Sequence, residues 1–332
     1  IGWWHWVTDE VFERQYENFG SDPDSSGKYL QVTAANGIWN GTSDGSTGFI
    51  CEWDKNKETA KAEIKAAPNS SLFEQWQKDP SAWQNDDSDN PTGARPSPED
   101  TSHLEDNPPE IKTGTIPAFF DARTTHGLPP IRDQGKYNTC WAFAALGAME
   151  ADYMAQKMTS LGDSPDLSEL HLAWFVYKDA SSDYKINPNK NILDQAGNSS
   201  RAVALLSKTN QAPINESEIP YTIVGEDKTK TDSVVETFLA DKTFKTARIS
   251  LKDTNDFSDF NSYMSDKNVK IIKNTIMEHG AVYFSFVNDK DSGYDENNAS
   301  FYSTSSELSL LHAVLIVGWD DEYPVTKFRI QP

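Results

Sequence analysis

The sequence predicts an α+β protein in two lobes behind an aromatic, loop-rich N-terminal module, and three observations carry that expectation. Helical patterns concentrate before residue 210, among them Cys140-Trp141-Ala142-Phe143-Ala144-Ala145-Leu146, rich in good helix formers. Apolar, β-branched runs follow residue 280: first AVYFSFV, then LHAVLIVGWD. Between them the chain separates two chemically distinctive residues. Cys140 follows the turn and cap residues Asp133, Gly135, Asn138 and Thr139, so it stands at a helix N-terminus, whereas His312 stands in a strand. Segregated helices and strands define an α+β domain, with Cys140 from one lobe facing His312 from the other.

A thiol at a helix N-terminus meets unpaired N–H groups and the positive end of the helix dipole, which draw its pKa from about 8.5 toward roughly 3.5–7.5. The thiolate is the nucleophile. Gln134, six residues upstream, carries a carboxamide N–H that can join the Cys140 backbone N–H in holding an oxyanion. Attack on a carbonyl also needs a proton donor for the leaving amine, commonly an imidazole. Of the six histidines, only His312 lies in a rigid apolar strand; His5, His103, His126, His171 and His279 lie in mixed or polar settings. The competing reading makes Cys140 a small buried hydrophobe and His312 a satisfied core histidine. Two distant motifs in the right order favour catalysis.

These residues resemble the papain-like cysteine peptidases: Gln134, then Cys140-Trp141-Ala142-Phe143, then His312-Ala313-Val314 with Gly318 after it. The resemblance covers residues 116 to 332 and implies a papain-like two-lobed fold with Cys140, His312 and Gln134 catalytic. It implies a mature start at Ile116-Pro117-Ala118-Phe119-Phe120-Asp121-Ala122-Arg123. A Gly-rich turn in the family offers backbone groups to extended substrates, which makes Gly197 and Asn198 substrate-binding candidates; a plain helix N-cap loop is the alternative there. Trp141 and Leu311, beside the two catalytic residues, join them as substrate-side candidates. Tyr137 stands where many relatives have a disulfide cysteine, and Leu311 where a polar residue is common. The family orients its histidine with an Asn in a downstream Asn-Ser-Trp motif, which nothing after His312 matches. Both ends of the chain therefore read as cuts through domains.

Thirty Lys plus Arg against 51 Asp plus Glu give a net charge of -21, which argues against a nucleic-acid partner and for an extracellular-type surface. Two cysteines, Cys51 and Cys140, make no disulfide framework, and bonding them together would abolish the nucleophile; both are expected free. No apolar run of about 18 residues exists to span a membrane, and Ile1-Gly2-Trp3 does not read as a signal-peptide start. The sequons at Asn40, Asn69, Asn198, Asn215 and Asn298 read as chance matches in a chain rich in Ser and Asn.

Residues 1–54 alternate short β-like pieces with turns. Trp4-His5-Trp6-Val7-Thr8, Trp39-Asn40-Gly41 and Gly48-Phe49-Ile50-Cys51-Glu52-Trp53 resemble part of a C-type lectin-like domain. The resemblance implies a glycan or surface-protein ligand and an extracellular or cell-surface location. Asp22-Pro23-Asp24 and Trp39-Asn40-Gly41 occupy the calcium-holding places, but Gly41 supplies no oxygen ligand, so no metal and no cofactor are expected. Residues 55–115 read as an acidic, Pro-rich linker: Asn85 to Glu110 holds eight acidic residues, one Arg and five prolines, too little apolar surface to fold alone. A short charged helix is expected over Lys55 to Ala67; the stretch lacks the long helical pattern of a papain-type propeptide, and a short inhibitory segment within it is the alternative to a plain linker.

Within residues 116–332, Asp166-Leu167-Ser168-Glu169-Leu170 opens with a cap residue, and positions 167, 170, 174 and 177 make an amphipathic helix. Arg201 to Lys208 reads as a short helix, residues 209–267 as a polar surface loop, and Val269, Ile272 and Ile276 as a helical stripe ending at Gly280. The expected activity is hydrolysis of protein or peptide substrates by a secreted or surface-attached cysteine peptidase. Two further readings stand beside it: an inactive peptidase-fold adhesin or scaffold, and an acyl transferase using the same Cys-His pair.

Overall fold

A computed structural model of the chain describes residues 29–33, 38–42, 69–78, 91–98, 114–158, 164–178, 190–207, 213–225, 227–240, 266–288, 293–304 and 311–329. Two units divide the chain, residues 1–65 and residues 66–332. In the first, β1 (Tyr29–Thr33) and β2 (Ile38–Thr42) pair antiparallel, with Tyr29 opposite Thr42 and Thr33 opposite Ile38. The expected helix over Lys55 to Ala67, the calcium positions Asp22 and Asp24, and Cys51 lie outside the described residues.

The second unit opens with α1 (Ser71–Lys78), whose Glu74 and Lys78 sit at the ends that suit the helix dipole. Ser70 caps it by accepting the Phe73 N–H at 3.2 Å. Trp76 is its one buried side chain; Phe73 stacks on it at 5.5 Å between centroids, and both pack against Ala196. Next, β3 (Phe119–Asp121) leads into α2 (Ala122–Thr125), which Asp121 caps through the Arg123 N–H.

The helical side consists of α3 (Cys140–Ala155), α4 (Glu169–Tyr177) and α5 (Ser199–Leu206). Ser168 caps α4 through the His171 N–H at 3.0 Å, so the helix starts after Ser168 and the Asp166 expected as its cap lies outside it. All four expected apolar positions, Leu167, Leu170, Trp174 and Tyr177, are buried, and so are His171, Leu172 and Ala173 between them. The helix is therefore buried nearly all round and not amphipathic as expected. Within the expected loop over 209–267 the chain forms α6 (Thr231–Leu239), which buries Thr231 and Val235.

The strand side begins with α7 (Asp266–His279), which ends where Gly280 adopts a φ of +84° that a side chain would disfavour. Its buried face carries Ile271 and Ile276. Then follow β4 (Val282–Val287), the short pair β5 (Tyr294–Asp295) and β6 (Ser300–Phe301), β7 (Leu311–Ile316) and β8 (Gly318–Asp320). β4 runs antiparallel to β7 with Phe286 opposite His312, and β8 pairs with β3. Leu311 and Ala313 are buried on the face that meets α3, where Leu315 closes over Gly147. One core thus joins the helices to the β4–β7 pair, with Cys140 at its edge.

Candidate active site

Cys140 is the first residue of α3 and is 1% exposed. The strand reaches it through its backbone: Ala313, immediately after His312, points its N–H at the Cys140 Sγ from 3.4 Å. The loop before the helix is tied down by tyrosine hydroxyls. Tyr221 donates to the Gln134 carbonyl at 2.9 Å and accepts from Thr139 Oγ1 at 2.7 Å. Tyr137, in the position of the family's disulfide cysteine, places its hydroxyl within 3.1 Å of the Val224 and Gly225 carbonyls and 2.8 Å from Thr231 Oγ1. Neither Tyr221 nor Thr231 stands out in the sequence, because both lie in a polar stretch whose fold the pattern does not show.

A peptide already occupies the groove, and it is the chain's own residues 91–98. Gln134 Nε2 donates to the Pro91 carbonyl at 3.1 Å and to the Tyr137 carbonyl at 2.8 Å. Ala94 donates its N–H to the Leu311 carbonyl at 3.0 Å, and Arg95 to the Gly197 carbonyl at 2.8 Å. Gly197 returns its N–H to the Gly93 carbonyl at 2.9 Å, making a parallel bridge between Ala94 and Gly197. Asn198 Nδ2 donates to the Pro96 carbonyl at 3.2 Å while Asn198 Oδ1 caps α5 through the Arg201 N–H. Gly197, Asn198 and Leu311 therefore all hydrogen-bond one extended segment, and for Asn198 the cap and the peptide contact coexist. Trp141 contributes from below: it is 1% exposed, and a Cβ on Gly197 would come within 2.4 Å of its indole, so only glycine lets the groove wall lie this low.

Helix position alone predicts an acidified thiol, and here the opposite holds. Burial beneath the segment pushes the Cys140 thiol up to about 11, and the N–H groups of Ala313 and Gly93 and the charge of Arg95 pull it back less strongly. Beside the segment, Gln134 and His312 line an open cleft of about 230 Å3 together with Pro91, Asp133 and Asn288. The other described histidines are engaged elsewhere. His126 Nε2 lies 2.8 Å from the Met277 carbonyl, and His279 Nδ1 lies 2.7 Å from Asp152. Burial holds the His171 pKa down to about 4, so that ring is neutral.

Two residues before Gln134, Arg132 contacts Glu150, Glu169 at 2.6 Å and Asp166 at 3.1 Å. One cation cannot neutralise two buried glutamates. Burial is the main reason that Glu150 rises to about 7 and Glu169 to about 8. Both folded values exceed the ordinary carboxylate range, so the folded state binds these protons more tightly than the unfolded one. The stability they contribute is full below about pH 4.5 and is lost as pH rises through about 7 to 8. The melting temperature of the full chain is expected to fall between pH 5 and pH 8.5, and Glu169→Gln to flatten that fall; an unchanged slope in the variant refutes the assignment.

A cysteine at a helix start, a histidine on the adjoining strand and an amide donor at the same groove form the constellation of a thiol peptidase. The chain belongs to the papain family of cysteine proteases, whose model matches residues 116–330. A cysteine protease of Blomia tropicalis is 41% identical over 80 residues, which are 24% of this chain and 23% of that protein. Peptidase 1 of Dermatophagoides farinae is 40% identical over 62 residues, 19% of this chain and 18% of that one. Among solved structures, the clostridial cysteine protease Cwp84 after propeptide cleavage is 24% identical, with a TM-score of 0.43 over 63% of this chain and 46% of that one. Among the described residues, no helix is long and apolar enough to cross a membrane.

Proposed function

We propose that the chain is a cysteine endopeptidase held latent by residues 91–98. The observation that supports this reading is the seating of that segment: its backbone uses Gly197, Leu311 and Gln134, the groups an extended substrate would use. The Pro91 carbonyl accepts from Gln134 Nε2, and Ala94 runs parallel to Gly197 in its bridge. Once the segment leaves, the Cys140 thiolate attacks the scissile carbonyl, and Gln134 Nε2 with the Cys140 N–H holds the oxyanion. His312 then delivers the thiol proton to the leaving amine, and water releases the acyl group.

On this reading the enzyme is secreted or surface-attached, and residues 1–54, with their likeness to a C-type lectin-like domain, direct it to a glycan or surface protein. Hydrolysis of a coumaryl peptide amide is the test, run on the full chain before and after limited proteolysis between residues 98 and 114. Labelling by an epoxide thiol inhibitor is expected only after the cut, with hydrolysis slow because the family's orienting Asn is not among these residues, and neither is expected in Cys140→Ala. Absence of labelling and of hydrolysis in a form extended past Pro332 through an Asn-Ser-Trp type segment would establish the scaffold reading, and capture of the acyl group by an added amine in place of water the transferase one.

A further inference from the structure

The cleft beside the segment has a side and a charge. Ala94, Arg95 and Pro96 run from Cys140 toward Gly197 and Asn198, while Pro91 lies on the other side, where His312 lines the open cleft. Under the peptidase reading His312 protonates the leaving amine, so this cleft receives the residue that follows the scissile bond. Its walls are polar. Asn288 follows β4 two residues beyond Phe286, the cross-strand partner of His312, so the alternation of a strand sets it on the histidine's side. Asp133 lines the same cleft, exposed, with Oδ1 accepting the Gly135 N–H at 2.8 Å. Arg132 also reaches the cleft, but its guanidinium is matched by Glu150, Glu169 and Asp166. Among the described residues, Pro91 is the one apolar side chain in the lining.

We propose that this cleft selects a cationic side chain, lysine or arginine, on the residue after the scissile bond, with Asp133 as the charge partner and Asn288 as the hydrogen-bonding wall. The direction of the peptide rests on the peptidase reading; the charge preference of the cleft does not. An acidic side chain would meet the charge of Asp133. A large apolar one would strip water from Asn288 and Asp133 without replacing those hydrogen bonds.

The cleft is open among the described residues, with Pro91 at its edge, so binding is tested on the full chain. Lysyl-, leucyl- and glutamyl-glycinamide are titrated into 15N-labelled protein, following the side-chain amides of Asn288 and Gln134. The lysyl compound is expected to bind at least about fivefold more tightly than the leucyl one, the size of a partly screened ion pair, and the glutamyl one most weakly. Asp133→Asn, which still accepts the Gly135 N–H, should erase the lysyl preference, and Asn288→Ala should weaken lysyl and leucyl binding alike. Equal binding of all three compounds, no binding of any, or a lysyl preference that survives Asp133→Asn overturns the proposal. A chain that shows the expected preference yet, extended past Pro332 and cut between residues 98 and 114, hydrolyses no peptide refutes the peptidase reading and upholds the pocket's selectivity.

Discussion

Gly93→Val is expected to open the active site without any proteolysis. A Cβ at residue 93 would lie 2.4 Å from the carbonyl carbon and oxygen of Asn138, a backbone held by the tyrosine-anchored loop, so the clash cannot be relieved by a side-chain rotation. The segment must rise, and its bonds to Gly197 and Leu311 go with it. Cys140 then loses the burial that pushes its thiol up to about 11. At pH 7 such a thiol is ionised to about one part in ten thousand, whereas one returned to the ordinary value near 8.5 is ionised to a few per cent. Iodoacetamide should therefore modify Cys140 roughly a hundredfold faster in the variant, and peptide hydrolysis should appear with it. Gly93→Val combined with Cys140→Ala should hydrolyse nothing. Alkylation of the single variant at the parental rate would show that the segment does not control the thiol.

The contrast between helix position and actual acidity explains what the sequence could and could not reveal. Cys140 at a helix start, His312 on a strand, and the β4 and β7 runs are local patterns, and the structure has each of them where the pattern places it. The thiol's environment is not local. Residues 91–97 read as linker because proline and charge show only that they cannot fold alone; their partners Gly197 and Leu311 lie more than a hundred residues downstream. The small residues Thr92, Gly93 and Ala94 between two prolines were the available signal, and alone they cannot be told from any other turn. Likewise α6 escapes the pattern because Val235 and Thr231 are its only buried residues and the Tyr137 hydroxyl, far upstream, holds its first turn. Ser168 displaced Asp166 as the α4 cap because Asp166 is engaged with Arg132 instead. Tertiary partners decide these cases, and a one-dimensional reading does not contain them.

Arg132→Met is expected to be strongly destabilising. The guanidinium, 20% exposed, joins Glu150 on α3 and Glu169 on α4, which are 0% and 2% exposed, to the loop that carries Gln134 two residues on. Glu150 in turn accepts the Leu167 N–H at 2.7 Å, so the same cluster fixes the start of α4. Removing one partner of a buried ion pair typically costs about 3–5 kcal/mol, since the carboxylates left behind are neither solvated nor paired. For a domain of this size that corresponds to a fall in melting temperature of roughly 6–20 °C. The charge origin gives the loss a pH signature. At pH 5, below the raised values of both glutamates, the side chains are already protonated and the variant should lose much less than at pH 8. Adding Glu150→Gln and Glu169→Gln to Arg132→Met should recover a large part of the stability at pH 8, because no uncompensated charge then remains buried. A loss that is equal at both pH values, or that the two glutamine substitutions deepen, would assign the effect to packing of the arginine stem.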